Sequence, residues 1–186
     1  MAKKKRIERF VPEPNKVELG QGDTPLEGFF HVDIRPLPST DLVLDLRDPL
    51  PFEDESVAEY YSCHFLEHLD RHEIPKILGE ILRSLVPGGR VKFVFPNLMW
   101  AAEALVKHPE WTPSVIEYIY GHQDYSANYH HWGFTPESAS RAMKEAGFEN
   151  IQFESGPVDH SIHIIGFKPV PPAPVPEVEE DVRVDL

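Results

Sequence analysis

The sequence predicts an α/β domain built on a mostly parallel, doubly wound sheet that an antiparallel C-terminal strand pair closes. Three observations carry that prediction. Short apolar runs alternate with stretches of helical period, which is the pattern of strands joined by crossovers. Several of the first runs end in a carboxylate or a glycine turn, as strand ends at a ligand crevice do. A chain of 186 residues, 41% hydrophobic and 11% aromatic, can fill one core and has the length of one domain.

Five runs read as strands in the first half: Lys16 to Leu19, Phe29 to Ile34, Leu42 to Leu46, Val57 to Ser62 and Arg90 to Phe95. Between the last two, Ile74, Ile77, Leu78, Ile81, Leu82 and Leu85 recur at helical spacing, so His72 to Leu85 reads as a helix that Pro87-Gly88-Gly89 stops. A second helix is expected over Pro136 to Ala146, with Thr135 as N-cap, Pro136 in the first turn and Gly147 as the stop. Asn150 to Glu154 and Ser161 to Phe167 then supply the antiparallel pair.

The ends of the chain read differently from its middle. Residues 1–12 form a basic, flexible N-terminus, with Lys3, Lys4, Lys5, Arg6 and Arg9 against Glu8. Residues 13–168 are the folded domain, and 169–186 form a proline-rich tail that turns acidic, a composition that favours extended chain and cannot bury a core. Such a tail is at most a weak docking segment. The formal charge is −13, and since the two ends carry +4 and −4 the middle also carries −13. A domain that acidic repels phosphate backbones, which disfavours a nucleic-acid substrate. No apolar run is long enough to span a bilayer and the basic start has no apolar stretch behind it, so a cytoplasmic protein is expected. A lone Cys63 excludes an internal disulfide and a thiol-rich metal framework.

Chemistry is concentrated at the strand ends. Glu18-Leu19-Gly20-Gln21-Gly22 runs a strand into a turn with glycines at alternate positions, where a ligand can lie against the backbone. The third glycine of the dinucleotide fingerprint is replaced by Pro25, and no acid follows at that motif's spacing, which argues against NAD and FAD. Asp33 follows the second strand run and Asp45 the third, and a carboxylate there can accept both hydrogens of a ribose diol.

With His31-Val32-Asp33, Asp45-Leu46 ahead of Leu50-Pro51-Phe52, Phe65-Leu66-Glu67-His68-Leu69, and Arg83-Ser84-Leu85-Val86-Pro87-Gly88-Gly89, the series resembles the motifs of small class I S-adenosylmethionine-dependent methyltransferases of the ubiquinone-biosynthesis type. The resemblance covers about Lys16 to Asn97, more loosely to Lys168, and implies a Rossmann-like fold with S-adenosyl-L-methionine as cofactor. By it, Gly20 and Gly22 pass under the methionine part, Glu18 lies near the amino group, Asp33 holds the ribose hydroxyls and Asp45 with Leu46 meets the adenine. His64, after the fourth strand, is assigned to the cofactor side as well as to catalysis. The family's first helix is shortened here, because only Asp23 to Phe30 is available and Pro25 and Gly28 interrupt it; at most one helical turn fits.

Two histidine clusters remain. His64-Phe65-Leu66-Glu67-His68 matches H-x-x-E-H, a zinc-hydrolase signature that needs both histidines on one helix face. The run follows a strand at once, which puts His64 in a turn and leaves Leu66 and Leu69 to pack inward, so no metal ligands are assigned. Tyr120 to Phe134 is polar, aromatic and glycine-punctuated with no regular period, which suits a substrate-recognition loop. Methyl transfer to a small-molecule acceptor needs alignment and, for some acceptors, a base. His64, His130 and His131 are the catalytic candidates, and Tyr120, Asn128 and Trp132 the acceptor-binding ones. Two rival readings stand beside the transferase: a zinc hydrolase using His64, Glu67 and His68, and a silent cofactor-binding module.

Overall fold

A computed structural model describes residues 8–156 and 159–172. The Lys3 to Arg6 cluster and the acidic end of the tail lie outside the described residues. The strands are β1 (Lys16–Leu19), β2 (Phe30–Asp33), β3 (Leu42–Val43), β4 (Val57–Cys63), β5 (Leu85–Pro96), β6 (Glu149–Phe153) and β7 (Ser161–Phe167). The helices are α1 (Ile74–Ser84), α2 (Leu98–Lys107), α3 (Thr112–Tyr120) and α4 (Pro136–Ala146), with short 3-10 turns at Leu66–His68 and Pro109–Trp111. One seven-stranded sheet results, in the order β3-β2-β1-β4-β5-β7-β6. Pairing is parallel from β3 to β5 and antiparallel at β7 and β6, which is the α/β architecture the sequence predicts.

Strand alternation gives the sheet two unlike faces. Val17, Leu19, Val32, Tyr60, Phe93, Ile162 and Ile164 are buried in one cluster with Ile77, Leu78 and Ile81 of α1 and Ala139 and Met143 of α4. Each large aliphatic side chain so buried contributes about 1.5–3 kcal/mol. The opposite face carries a row of ions across neighbouring strands: Lys16 Nζ and Arg90 Nη2 lie 3.2 and 2.6 Å from the Glu59 carboxylate between them. Lys92 reaches Glu154 at 2.6 Å on the same side of the sheet. Among the described residues no helix joins β1 to β2 or β2 to β3.

Helix α4 forms as expected. The Thr135 hydroxyl accepts from the Ser138 N–H, the Ser138 hydroxyl accepts from the Thr135 N–H, and Gly147 ends the helix in the left-handed conformation. Helix α1 ends earlier than predicted, at Ser84, and runs straight into β5. Pro87-Gly88-Gly89 is therefore no helix stop; it falls inside β5, where the register against β4 jumps from Val57↔Leu85 to Glu59↔Arg90. A cation closes the helix end instead, because Lys168 Nζ donates to the carbonyls of Arg83 and Leu85 at 3.2 and 2.8 Å. The third strand is shorter than the predicted Leu42 to Leu46, ending at Val43.

Helices α2 and α3 were not expected from the sequence. They pack on one another through Ala101, Ala104 and Val115, with Trp100 and Tyr118 against them. Asn97 caps α2 by accepting from the Met99 N–H. Tyr120 belongs to α3, so the irregular segment begins at Gly121.

Candidate active site

Strand β1 delivers the glycine turn. Gly20 and Gly22 have φ of +68° and +60°, which L side chains rarely adopt. The Gly20 N–H donates to the Val32 carbonyl at 2.7 Å, and a Cβ at Gly20 would lie 3.0 Å from Cβ of Phe65. The turn thus needs glycine for its conformation and for the close approach of the segment after β4. Gln21 is buried and donates through Nε2 to Thr40 Oγ1 at 2.7 Å, while its Oε1 has no hydrogen-bond partner.

The two strand-end acids differ. Asp33 is 5% exposed; Oδ2 accepts from the Gly22 N–H at 3.1 Å and Oδ1 from the Arg35 N–H at 2.8 Å. An ionised carboxylate has roughly four acceptor positions, so these two bonds leave room for a diol. Asp45 is held by the Arg47 guanidinium, with Nε at 2.8 Å and Nη2 at 2.5 Å, and that hydrogen bond holds its carboxyl below the usual range. Glu18 is buried, which pushes its carboxyl up, and its Oε2 accepts from the Leu26 N–H at 2.8 Å. His31 Nε2 also meets the Leu26 carbonyl, at 2.9 Å. These contacts fix the β1–β2 connection, where the single helical turn allowed by the sequence does not form.

Strand β4 delivers the third group. His64 follows Cys63 with φ of +53°, ahead of the 3-10 turn, so His64 and His68 do not share a helix as the zinc-hydrolase motif requires. His64 Nδ1 lies 3.1 Å from Glu67 Oε1, and that hydrogen bond raises the imidazole above its ordinary range. Glu67 is 1% exposed, and its Oε2 has no partner. Leu66 and Leu69 are buried, as the sequence indicates.

The segment after α3 folds back onto this turn. His131 and Trp132 donate their backbone N–H groups to the Glu67 carbonyl at 2.7 and 3.1 Å, and His68 Nδ1 meets the Tyr129 carbonyl at 3.0 Å. The His68 and His130 rings meet edge to face, 4.8 Å between centroids. Burial pushes the His130 imidazole down, which favours its neutral form. Gly121 makes the fold-back possible: at φ +79°, a Cβ there would sit 2.3 Å from the Asn128 carbonyl oxygen.

One cavity of about 960 Å3 opens at the carboxyl ends of the parallel strands. Glu18, Gly20, Gly22, Asp33, Asp45, Leu46, His64, Asn128, His130 and His131 line it. Tyr120 and Trp132 do not, and they are 54% and 40% exposed. Among these candidates Asn128 turns its amide to Asp124, at 2.5 Å. Sequence reasoning missed Arg35, whose guanidinium pairs with Asp33 and lies 5.2 Å from the ring centroid of Tyr125. It also missed Arg47 and Gln21. A basic residue two positions past each strand-end acid was a visible signal for Arg35 and Arg47.

The donor set fits S-adenosylmethionine on three counts: a glycine cradle that a Cβ would fill, an unpartnered buried amide oxygen on Gln21, and open acceptor positions on Asp33. Residues 27–93 match the family model described as a methyltransferase domain. No curated protein sequence matches the chain. Among solved structures, one similar protein is from Thermotoga maritima, described as a methyltransferase dependent on S-adenosylmethionine and a possible histamine N-methyltransferase. The TM-score is 0.55 at 20% identity, over 82% of this chain and 81% of that one. Human N-acetylserotonin methyltransferase, solved with S-adenosylmethionine, gives a TM-score of 0.55 at 16% identity, over 83% of this chain and 47% of that one. A Bordetella parapertussis protein, described as possibly exported, gives 0.55 at 16%, over 89% and 64%. The chain therefore spans less than two thirds of the length of two of these three. The chain thus shares the fold of S-adenosylmethionine-dependent methyltransferases of known structure, and its segment 27–93 matches the methyltransferase-domain model.

Proposed function

We infer that the chain transfers the methyl group of S-adenosylmethionine to a small-molecule acceptor that enters the cavity from the side of residues 121–134. One observation carries the reading. The glycine turn, Asp33 and Asp45 occupy the ends of β1, β2 and the β3 extension in order, and the histidines stand at the far side of the same cavity. Bound there, the cofactor supplies a methyl group on a positively charged sulfur, which makes the reaction a displacement aligned by the protein. Gly20 and Gly22 let its methionine part lie against the backbone, Asp33 accepts from the ribose, and Asp45 with Leu46 borders the base.

His64 is the group placed to take a proton from the acceptor, since Glu67 occupies its Nδ1 and leaves Nε2 for the cavity. The cavity volume suits a small molecule, and its acidic surroundings do not suit a nucleic acid. No helix among the described residues is long and apolar enough to cross a membrane. A cytoplasmic setting agrees with a single unpaired thiol at Cys63. Titration with S-adenosylhomocysteine by calorimetry tests the cofactor half directly. One-to-one binding is expected, and its absence from the purified full chain sinks the reading.

A further inference from the structure

We propose that Glu67, His68 and His130 form a binding site for one divalent transition-metal ion of the zinc class, at the acceptor end of the cavity. The proposal goes beyond methyl transfer and does not depend on it. One donor atom from each of the three residues lies within 4.8 Å of the others. The residues come from separate segments, the 3-10 turn after β4 and the loop after α3, so their convergence is a property of the fold.

Glu67 supplies the strongest reason. Its carboxylate is 1% exposed, His64 engages Oε1, and Oε2 has no hydrogen-bond partner among the described residues. Burying a carboxylate oxygen without a donor is costly, more so when the group is charged, and a cation at Oε2 removes that cost. His68 is oriented for the same task. A hydrogen on Nδ1 donated to the Tyr129 carbonyl leaves the Nε2 lone pair free, which is the outer hydrogen bond that metal-binding histidines make.

The two halves are also locked together before any ion arrives. The Glu67 carbonyl accepts from the His131 and Trp132 N–H groups at 2.7 and 3.1 Å. Two imidazoles and one carboxylate suit zinc, cobalt, nickel or iron and suit magnesium or calcium poorly. Three protein donors leave a fourth position open, and His68 and His130 both line the cavity. The fourth ligand is then water or an anionic oxygen of a molecule bound in the cavity.

Cobalt(II) titration of the metal-stripped full chain, followed by its visible absorption, tests the site. One cobalt per chain is expected, displaced by zinc and not by a large excess of magnesium. His68→Ala, His130→Ala and the isosteric Glu67→Gln should each weaken binding by about tenfold or more, whereas His72→Ala on the exposed surface leaves it unchanged. Binding of S-adenosylhomocysteine reports separately that each variant is folded, and its failure in the native chain would count against the methyltransferase reading alone. No saturable cobalt binding, binding unchanged in Glu67→Gln, or displacement by magnesium each overturns the proposal.

Discussion

The two ends of the cavity are built by different means. At the β1–β3 end, every functional group sits at or just after a strand, and its position follows from ladder register: Glu18 beside His31, Leu19 beside Val32, Asp33 beside Val43. At the other end, a loop of fourteen residues is held to a 3-10 turn by hydrogen bonds on the Glu67 and Tyr129 carbonyls and to α3 by one on the Tyr120 carbonyl. Outside the glycine turn, the first kind of site tolerates change in side chains that do not touch ligand. The second depends on backbone geometry, so a single misplaced Cβ can undo it.

That contrast can be broken deliberately. The largest effect is expected from Gly121→Ala, which combines a left-handed φ of +79° with a Cβ 2.3 Å from a carbonyl oxygen. Strain and overlap each cost about 1–3 kcal/mol, so methyl transfer should fall by about 100-fold or more while S-adenosylhomocysteine affinity stays within about threefold. Equal loss of both in calorimetry and turnover assays would mean that the two ends are one cooperative unit. Asp33→Ala is the converse. It should leave ribose hydroxyls unpaired at about 1–3 kcal/mol, a five- to 150-fold loss of cofactor affinity; unchanged affinity would remove Asp33 from the site.

A smaller effect sharpens the boundary between the ends. Tyr125 is the loop residue that reaches across to Arg35, beside Asp33. A cation–π contact at a partly exposed site is worth about 0.5–1 kcal/mol, so Tyr125→Ala should weaken S-adenosylhomocysteine by about two- to fivefold in the same titration. A loss as large as that of Asp33→Ala would make the loop part of the cofactor site. The smallest effect belongs to the C-terminus. Truncation after Lys168 should shift the melting temperature by about 1 °C or less, because proline and acidic side chains bury little; a drop of several degrees would show that the tail docks.

The same contrast explains what the sequence made legible. Strand ends could be read because apolar alternation and a following Asp or Gly are local signals, and β7 and α4 match their predicted limits residue for residue. Lys168 closing α1 could not be read, since it lies 83 residues from the carbonyl it caps at Leu85. Helices α2 and α3 escaped because their buried faces are small, consisting of Ala101, Ala104 and Val115, and give little periodic contrast. His130 was singled out for its residue type, but its meeting with His68 is set by the fold-back at Gly121. Tyr120 and Trp132 were chosen for the same chemistry and point elsewhere, which shows how little an aromatic residue's identity says about its direction.

The row Lys16, Glu59, Arg90 bears on how short a chain can be and still use this sheet. In a sheet covered on both faces, the strands run apolar throughout and helices keep water away. Here the connections from β1 to β2 and β2 to β3 carry no helix, and alternate positions on the opposite face are ionic. Charged side chains hydrate that surface and oppose stacking against another sheet, the hazard that bare strands otherwise present. The strands thus supply for themselves the wet exterior that crossover helices would otherwise provide.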